Sequence, residues 1–153
     1  MEIIYLFIKN FKSLKSQNIN FGSEHRFEYS EKTNELKTIK NELYIQDFYN
    51  INNLGARVLN VSSIIGKNGT GKSTILEFIK RNFSSGLNLQ DEMILVIKEN
   101  NIYKIISTID LKYDTDLFKD NFELYIKKEP KKEEDFFFDF GFELRGLNKT
   151  DII

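Results

Sequence analysis

Residues 66–74 read Gly66-Lys67-Asn68-Gly69-Thr70-Gly71-Lys72-Ser73-Thr74, which fills the pattern G-x-x-x-x-G-K-[ST] without a gap. The pattern is typical of loops that bind nucleotide phosphates. Closely spaced glycines let several backbone N–H groups face one concave surface, because a Cβ atom there would block the phosphates. Lys72 would reach the β- and γ-phosphates as a point charge, and Ser73 would offer its hydroxyl to Mg²⁺. The stretch therefore predicts a nucleotide-binding loop.

The segments on either side have the order that such a loop requires. The preceding run Val58-Leu59-Asn60-Val61-Ser62-Ser63-Ile64-Ile65 is apolar and β-branched, which predicts a buried strand. The following residues predict a helix, because apolar side chains recur at helical spacing at Ile75, Leu76, Ile79 and Phe83. Lys80 and Arg81 suit the last turn of this helix, and Ser84-Ser85-Gly86 suits its end. Its N-terminus would point at the bound anion.

The composition suits one globular domain or part of one, because the chain has 153 residues, of which 41% are hydrophobic and 14 are phenylalanine. A net charge of -1 and a pI near 5.9 argue against a uniformly basic surface for nucleic acids, so DNA binding is possible but unsupported. The chain has no cysteine, no signal-peptide pattern and no apolar run of membrane-spanning length. We therefore expect a cytoplasmic protein that does not enter a membrane.

Most of the chain before the loop has the pattern of β-strands. Side chains alternate along residues 4–9, which predicts a strand with one buried face. Shorter strands are predicted at 19–21 and 26–29, while residues 35–45 suit either a strand or a helix. Residues 50–55 are typical of a loop. This long β-rich beginning differs from small GTPases and small-molecule kinases, in which the phosphate loop usually follows the first strand.

Two β-rich runs follow the predicted helix, at 93–98 and 102–108. Asn100-Asn101 joins them, and asparagine tolerates the positive φ of a tight turn, so the pattern predicts a hairpin. A further short strand is predicted at 124–126. Residues 127–142 begin with a mixed charge run, which predicts an exposed loop, and continue with a phenylalanine-rich apolar segment.

Two blocks of the sequence resemble a known family. The first, Ile8-Lys9-Asn10-Phe11-Lys12-Ser13, is similar to an opening I-x-N-F-[KR]-S. The second runs from Ile64 to Thr74 and is similar to I-x-G-x-N-G-x-G-K-S-[TS]. In this order they resemble the amino-terminal lobe of an ABC-type ATPase of the SMC, RecF and DNA-repair branch. The resemblance implies an α/β fold of the P-loop NTPase type, with antiparallel strands beside a strand–loop–helix unit.

The family's nucleotide contacts can be carried over to the matching residues. The resemblance implies that ATP and Mg²⁺ bind here, with Lys72 as the catalytic residue, Ser73 as the metal ligand and Thr74 near the α-phosphate. It also implies a secondary nucleotide role for Lys12 and Ser13. The loop residues expected to bind nucleotide are Gly66, Lys67, Asn68, Gly69, Thr70, Gly71, Lys72, Ser73 and Thr74. Because two heads sandwich ATP in the family, the expected protein partner is a second ATPase head, in a homodimer of the full-length protein.

The chain also departs from the family. Residues 22–57 are expected to be an insertion, of a kind associated with ATPases of bacterial phage defence, before the strand–loop–helix unit at 58–86 and an antiparallel β segment at 93–126. A Walker B strand ends in apolar residues followed by Asp-Glu, but Asp91-Glu92 precedes its apolar run and polar residues interrupt 105–110. No LSGG-like signature is present. We therefore expect an amino-terminal fragment of a longer ATPase, or the product of a truncated gene, with little or no hydrolysis of its own.

Two other functions stay open. Asn148-Lys149-Thr150-Asp151 matches the N-K-x-D pattern that reads guanine, which favours a GTPase, although no D-x-x-G lies between it and the loop. Alternatively, the chain is a non-catalytic module for nucleotide binding or protein interaction. Tyr44, Phe48 and Tyr49 could stack on adenine or could pack in the core or a loop. The single histidine, His25, is expected to be an ordinary surface residue.

Overall fold

The structure is a computed structural model that describes residues 2–48, 61–83, 90–113 and 122–126. Within these ranges the chain is an α/β protein in which strands predominate around one helix. The elements in chain order are β1 (Glu2–Phe11), β2 (Leu14–Asn20), β3 (His25–Ser30), β4 (Glu35–Lys40), α1 (Lys72–Phe83), β5 (Met93–Glu99), β6 (Ile102–Ser107), β7 (Lys112–Tyr113) and β8 (Phe122–Ile126). The helix prediction is confirmed. Residues 35–40, for which the sequence allowed either a strand or a helix, form a strand.

Two sheets are formed by these strands. The larger has the order β2-β1-β5-β6-β8, and the smaller has the order β3-β4-β7. β1 pairs with β2 on one side and β5 on the other, both antiparallel. β5 and β6 form the predicted hairpin, and its turn residues Asn100 and Asn101 have φ angles of 50° and 64°. Asparagine therefore provides the left-handed turn conformation that the sequence indicated.

β1 is buried on both faces, so the prediction of a single buried face is wrong. Residues 4–8 are all almost completely shielded from solvent. One face of the strand, which includes Leu6, packs with Phe78 of α1. The other face includes Phe7, whose ring centroid lies 4.7 Å from that of Tyr29 in β3. Ile4, Tyr5 and Phe7 belong to one apolar layer and Leu6 and Ile8 to the other. Both faces are buried because aromatic side chains are as suited to burial as aliphatic ones.

The segment expected to be an insertion contains a hairpin, β3 and β4, that belongs to the core of the described chain. Two asparagine side chains of β2 pair with the backbone of β3. The Asn20 amide accepts from the Phe27 N–H at 2.8 Å and donates to the Phe27 carbonyl at 2.9 Å. Asn18 makes the same two bonds with Tyr29, at 2.9 and 3.4 Å. The side chains take the place of a neighbouring strand and join the two sheets.

The segment 93–126 is not antiparallel throughout, which corrects the sequence prediction. The antiparallel arrangement holds for the β5–β6 hairpin, but β8 pairs in parallel with β6. β7 also pairs in parallel, with β4. Residues 108–121 lie between β6 and β8, and a connection of this length is sufficient for a crossover between parallel strands.

The buried strand predicted before the loop is absent from its described part, residues 61–65. Val61 is 56% exposed and Ile65 is 90% exposed. A strand needs a neighbour for its backbone groups, and none of the described strands pairs with this segment. The Ser62 hydroxyl donates to the Phe21 carbonyl at 2.7 Å, which ties the segment to the end of β2.

Several sequence predictions lie outside the described residues: the loop at 50–55, the start of the strand at 58–60, the helix end at 84–86, and the segments at 127–142 and 148–151. In the part of the chain that the structure describes, no helix is long and apolar enough to cross a membrane.

Candidate functional site

The glycine-rich loop leads directly into α1. The helix begins at Lys72, and the Gly71 carbonyl accepts the first helical bond from the Ile75 N–H at 2.9 Å. Gly69 and Gly71 have φ angles of 82° and 90°, in the left-handed region that favours glycine. These two glycines therefore turn the chain back toward the start of the helix, as the motif predicts.

The glycines differ in the space around them. A Cβ atom built on Gly66 would lie 2.7 Å from Thr70 Oγ1, and one built on Gly71 would lie 2.9 Å from Leu14 Cδ2. A Cβ atom on Gly69 would meet nothing within 4 Å. A side chain at Gly66 would thus overlap the Thr70 hydroxyl, and one at Gly71 would overlap the larger sheet in addition to straining the backbone. Gly69 is favoured by its backbone conformation alone.

Hydrogen bonds hold the loop in a closed curve. The Lys72 ammonium donates to the carbonyls of Gly66 and Lys67 at 2.6 and 2.7 Å. The Thr70 hydroxyl donates to the same Lys67 carbonyl at 2.8 Å. Lys72 therefore links the beginning of the loop to the beginning of the helix and brings a positive charge to the loop.

The turn between β1 and β2 lies against this loop. Ser13 Oγ is 4.0 Å from the position of a Cβ atom on Gly71, so the two sequence blocks meet in space. Lys12, with a φ of 52°, forms an ion pair with Glu77 of α1. The structure thus places Ser13 beside the loop and Lys12 beside the helix. Sequence reasoning missed Leu14 and Glu77, since nothing in the local pattern indicated that Leu14 would contact the glycine-rich loop or that Glu77 would pair with Lys12.

The start of α1 favours a bound anion. It has no acidic residue in its first turn, so no side chain there offsets the partial positive charge of the helix N-terminus. Ser73 is exposed, and Thr74 is partly exposed. Asn68 is exposed in the turn between the glycines. The described ranges contain no group of three or more His, Cys, Asp or Glu residues that could hold a metal ion. A magnesium ion here would rely on the Ser73 hydroxyl and on phosphate oxygens.

The acidic pair Asp91-Glu92 lies at the other end of α1. Asp91 accepts hydrogen bonds from Asn82 Nδ2 at 3.0 Å and forms an ion pair with Arg81 at 3.2 Å. Glu92 accepts from Lys9 at 2.6 Å, and this hydrogen bond raises the pKa of Lys9. Since Lys72 and Asn82 are ten residues apart, the helix separates this pair from the loop by about 15 Å. At that end of the helix both carboxylates pair with basic side chains of the protein, Arg81 and Lys9.

Tyr44 lies near the opposite end of β1 from the loop. Burial raises the pKa of Tyr44, and the charges that act on it include Lys98 and Glu2. Glu2 and Lys12 are separated by the whole of β1, about 30 Å. Of the two alternatives for Tyr44, this position favours packing over stacking on a base at the loop. Phe48 is exposed four residues further on, and Tyr49 lies outside the described residues.

His25 is not an ordinary surface residue, which corrects the expectation from sequence. Its side chain is partly buried, and Nδ1 lies 3.0 Å from the Tyr103 hydroxyl. The two rings meet edge to face, with centroids 5.3 Å apart. His25 thus contributes to the contact between the smaller sheet and β6.

No protein-family model matches this chain, and no curated protein or solved structure matches it either. The likeness to ABC-type ATPases therefore rests on the two sequence blocks that the structure brings together around Gly71.

Proposed function

We propose that the chain binds ATP with Mg²⁺ through residues 66–74, as the amino-terminal part of an ABC-type P-loop ATPase of the SMC and RecF branch that acts in the cytoplasm. The observation that carries the proposal is the shape of the loop. Left-handed glycines curve it, and the Lys72 ammonium closes it through the carbonyls of Gly66 and Lys67. A loop of this shape at the N-terminus of a helix suits a polyphosphate.

Each group has a distinct role in this proposal. Lys72 exchanges its carbonyl partners for oxygens of the β- and γ-phosphates, so its ammonium group has hydrogen-bond acceptors in both states. The backbone N–H groups of the loop and of the first turn of α1 bind the remaining phosphate oxygens. Ser73 offers its hydroxyl to Mg²⁺, and Thr74 lies one residue further, near the α-phosphate. When bound, Mg²⁺ would neutralise part of the charge of the phosphates.

We expect binding without significant hydrolysis by residues 1–153 alone. Phosphoryl transfer depends on acidic groups that hold the metal and orient the attacking water. The described residues provide no metal-binding acidic cluster. Those groups, and the second ATPase head of the sandwich, belong to the full-length protein in this proposal. ATPase activity of the 153-residue chain that disappears in Lys72→Ala would contradict this part of it.

A displacement experiment tests the nucleotide. The purified chain is saturated with a fluorescent ATP analogue in the presence of Mg²⁺, and unlabelled ATP or GTP is then added. We expect ATP to displace the analogue at lower concentration than GTP. Displacement by GTP but not by ATP would contradict the ATPase proposal and favour the guanine-reading role of residues 148–151.

A further inference from the structure

Lys12 and Glu77 form an ion pair between the β1–β2 turn and the helix that follows the loop. Both side chains are about half exposed, at 57% and 51%. The Lys12 ammonium also lies 5.7 Å from the centroid of the Phe11 ring. The pair therefore places a partly solvated ammonium group on the side of α1.

The position of Glu77 decides where this cation lies. Glu77 is five residues after Lys72, which places it about 7.5 Å along the helix axis from the start of α1. Ser13, the next residue after Lys12, lies against Gly71 at the loop itself. Consecutive Cα atoms are only about 3.8 Å apart, so the Lys12 backbone is next to the loop. Its ammonium, however, is drawn along the helix toward Glu77.

We propose that Glu77 is a positioning residue that lowers the affinity of the site by holding Lys12 away from the phosphates. A bound triphosphate draws the Lys12 ammonium from Glu77 to itself. This inference rests on the proposed nucleotide function, and it adds a residue of α1 that sets the strength of binding.

The charges favour this exchange. An ion pair between half-exposed side chains is weak, because water screens it and both side chains lose rotamer freedom. A triphosphate carries several negative charges, whereas Glu77 carries one, so the phosphates compete effectively for Lys12. ATP therefore still binds in the presence of the Glu77 carboxylate. Its affinity is lower, however, because the Lys12–Glu77 contact has to be broken before Lys12 can contact the phosphates.

The experiment is a double-mutant cycle on the 153-residue chain, with Mg²⁺-ATP affinity measured by calorimetry. We expect Glu77→Gln to bind about two- to fivefold more tightly than wild type, the range that a surface ion pair supports. Lys12→Met should bind more weakly than wild type. Glu77→Gln should give no gain in the Lys12→Met background, because Glu77 acts through Lys12.

Glu92→Gln is the matched control, since it breaks a comparably exposed ion pair, with Lys9 of β1, near the far end of α1. It should leave the affinity unchanged, and thermal unfolding of both Gln variants should stay close to that of wild type.

Unchanged or weaker binding by Glu77→Gln would overturn the inference, as would an equal gain in the Lys12→Met background. If wild type binds ATP and Glu77→Gln does not differ, only this inference fails. If wild type binds no nucleotide, the proposed function fails, and the inference fails with it.

Discussion

At the scale of single residues, Gly71 is the point at which the loop contacts the larger sheet. Its φ of 90° suits glycine, and the Leu14 side chain occupies the space where a Cβ atom would lie. Leu14 is buried in the apolar cluster under α1 and cannot move aside without disturbing its neighbours. The loop is therefore shaped both by its own backbone and by a residue of β2.

Substitution of two glycines separates these effects. We expect Gly69→Ala to lower the free energy of unfolding by about 1–2 kcal/mol, because only the left-handed backbone is strained. Gly71→Ala should cost about 1–3 kcal/mol more, since it adds the overlap with Leu14. Urea unfolding measures both. In a Leu14→Ala background the two alanine variants should cost the same, and a persistent difference would show that Leu14 is not the cause.

Tyr5 makes the stability of the fold sensitive to alkaline pH. Its hydroxyl donates to Asn18 Oδ1 at 2.5 Å and accepts from the Tyr29 N–H at 3.2 Å, and burial raises the pKa of Tyr5 far above its usual value of 10. Because the folded-state pKa is raised, the stabilisation is complete below pH 10, where the unfolded chain is also protonated. It is lost as the pH rises further and the unfolded chain ionises first.

Tyr5→Phe removes this dependence. We expect it to cost about 1 kcal/mol at pH 7 through the lost hydrogen bond. Between pH 10 and 11, its free energy of unfolding should fall less steeply than that of wild type, by about 1 kcal/mol per pH unit. Urea unfolding at a series of pH values measures both effects. Parallel pH profiles for the two proteins would contradict the assignment.

At the scale of secondary-structure elements, the contact between β2 and β3 leads to a further prediction. Asn20→Ala removes both hydrogen bonds to the backbone of Phe27, a residue that is almost completely buried. Two buried backbone groups then lack partners, so we expect a loss of about 2–4 kcal/mol in the free energy of unfolding. Gln17→Ala is the control, because among the described residues the Gln17 amide bonds locally to the Lys15 carbonyl on an exposed surface. A loss no larger than that of the control would contradict the role of Asn20.

Local patterns predicted the elements that depend on local physics. The helical spacing of apolar residues gave α1, and two asparagines gave the β5–β6 turn. The burial of β1 on both faces could not be predicted, because it depends on β3 and α1, which lie far away in the sequence. The parallel pairing of β8 and the absence of a strand at residues 61–65 likewise depend on which neighbours a segment finds.

At the scale of the whole molecule, the larger sheet lies between two apolar layers, one on each of its faces. One layer holds α1 and therefore the position of the loop, and the other holds the β3–β4 hairpin. The motif was sufficient to predict the residues of the loop and the direction of the helix. It could not indicate that Leu14 contacts Gly71 or that Glu77 pairs with Lys12, since both contacts join distant parts of the chain.

The most direct test of the central claim is a calorimetric titration of the chain with Mg²⁺-ATP, for wild type and Lys72→Ala. We expect saturable binding by wild type and an affinity at least about tenfold lower for Lys72→Ala, because the charged contact to the phosphates is lost. The fold should survive the substitution, since Lys72 bonds only to carbonyls of the exposed loop among its described contacts. No binding by wild type, or equal binding by a folded Lys72→Ala variant, would contradict the claim that residues 66–74 form a nucleotide site.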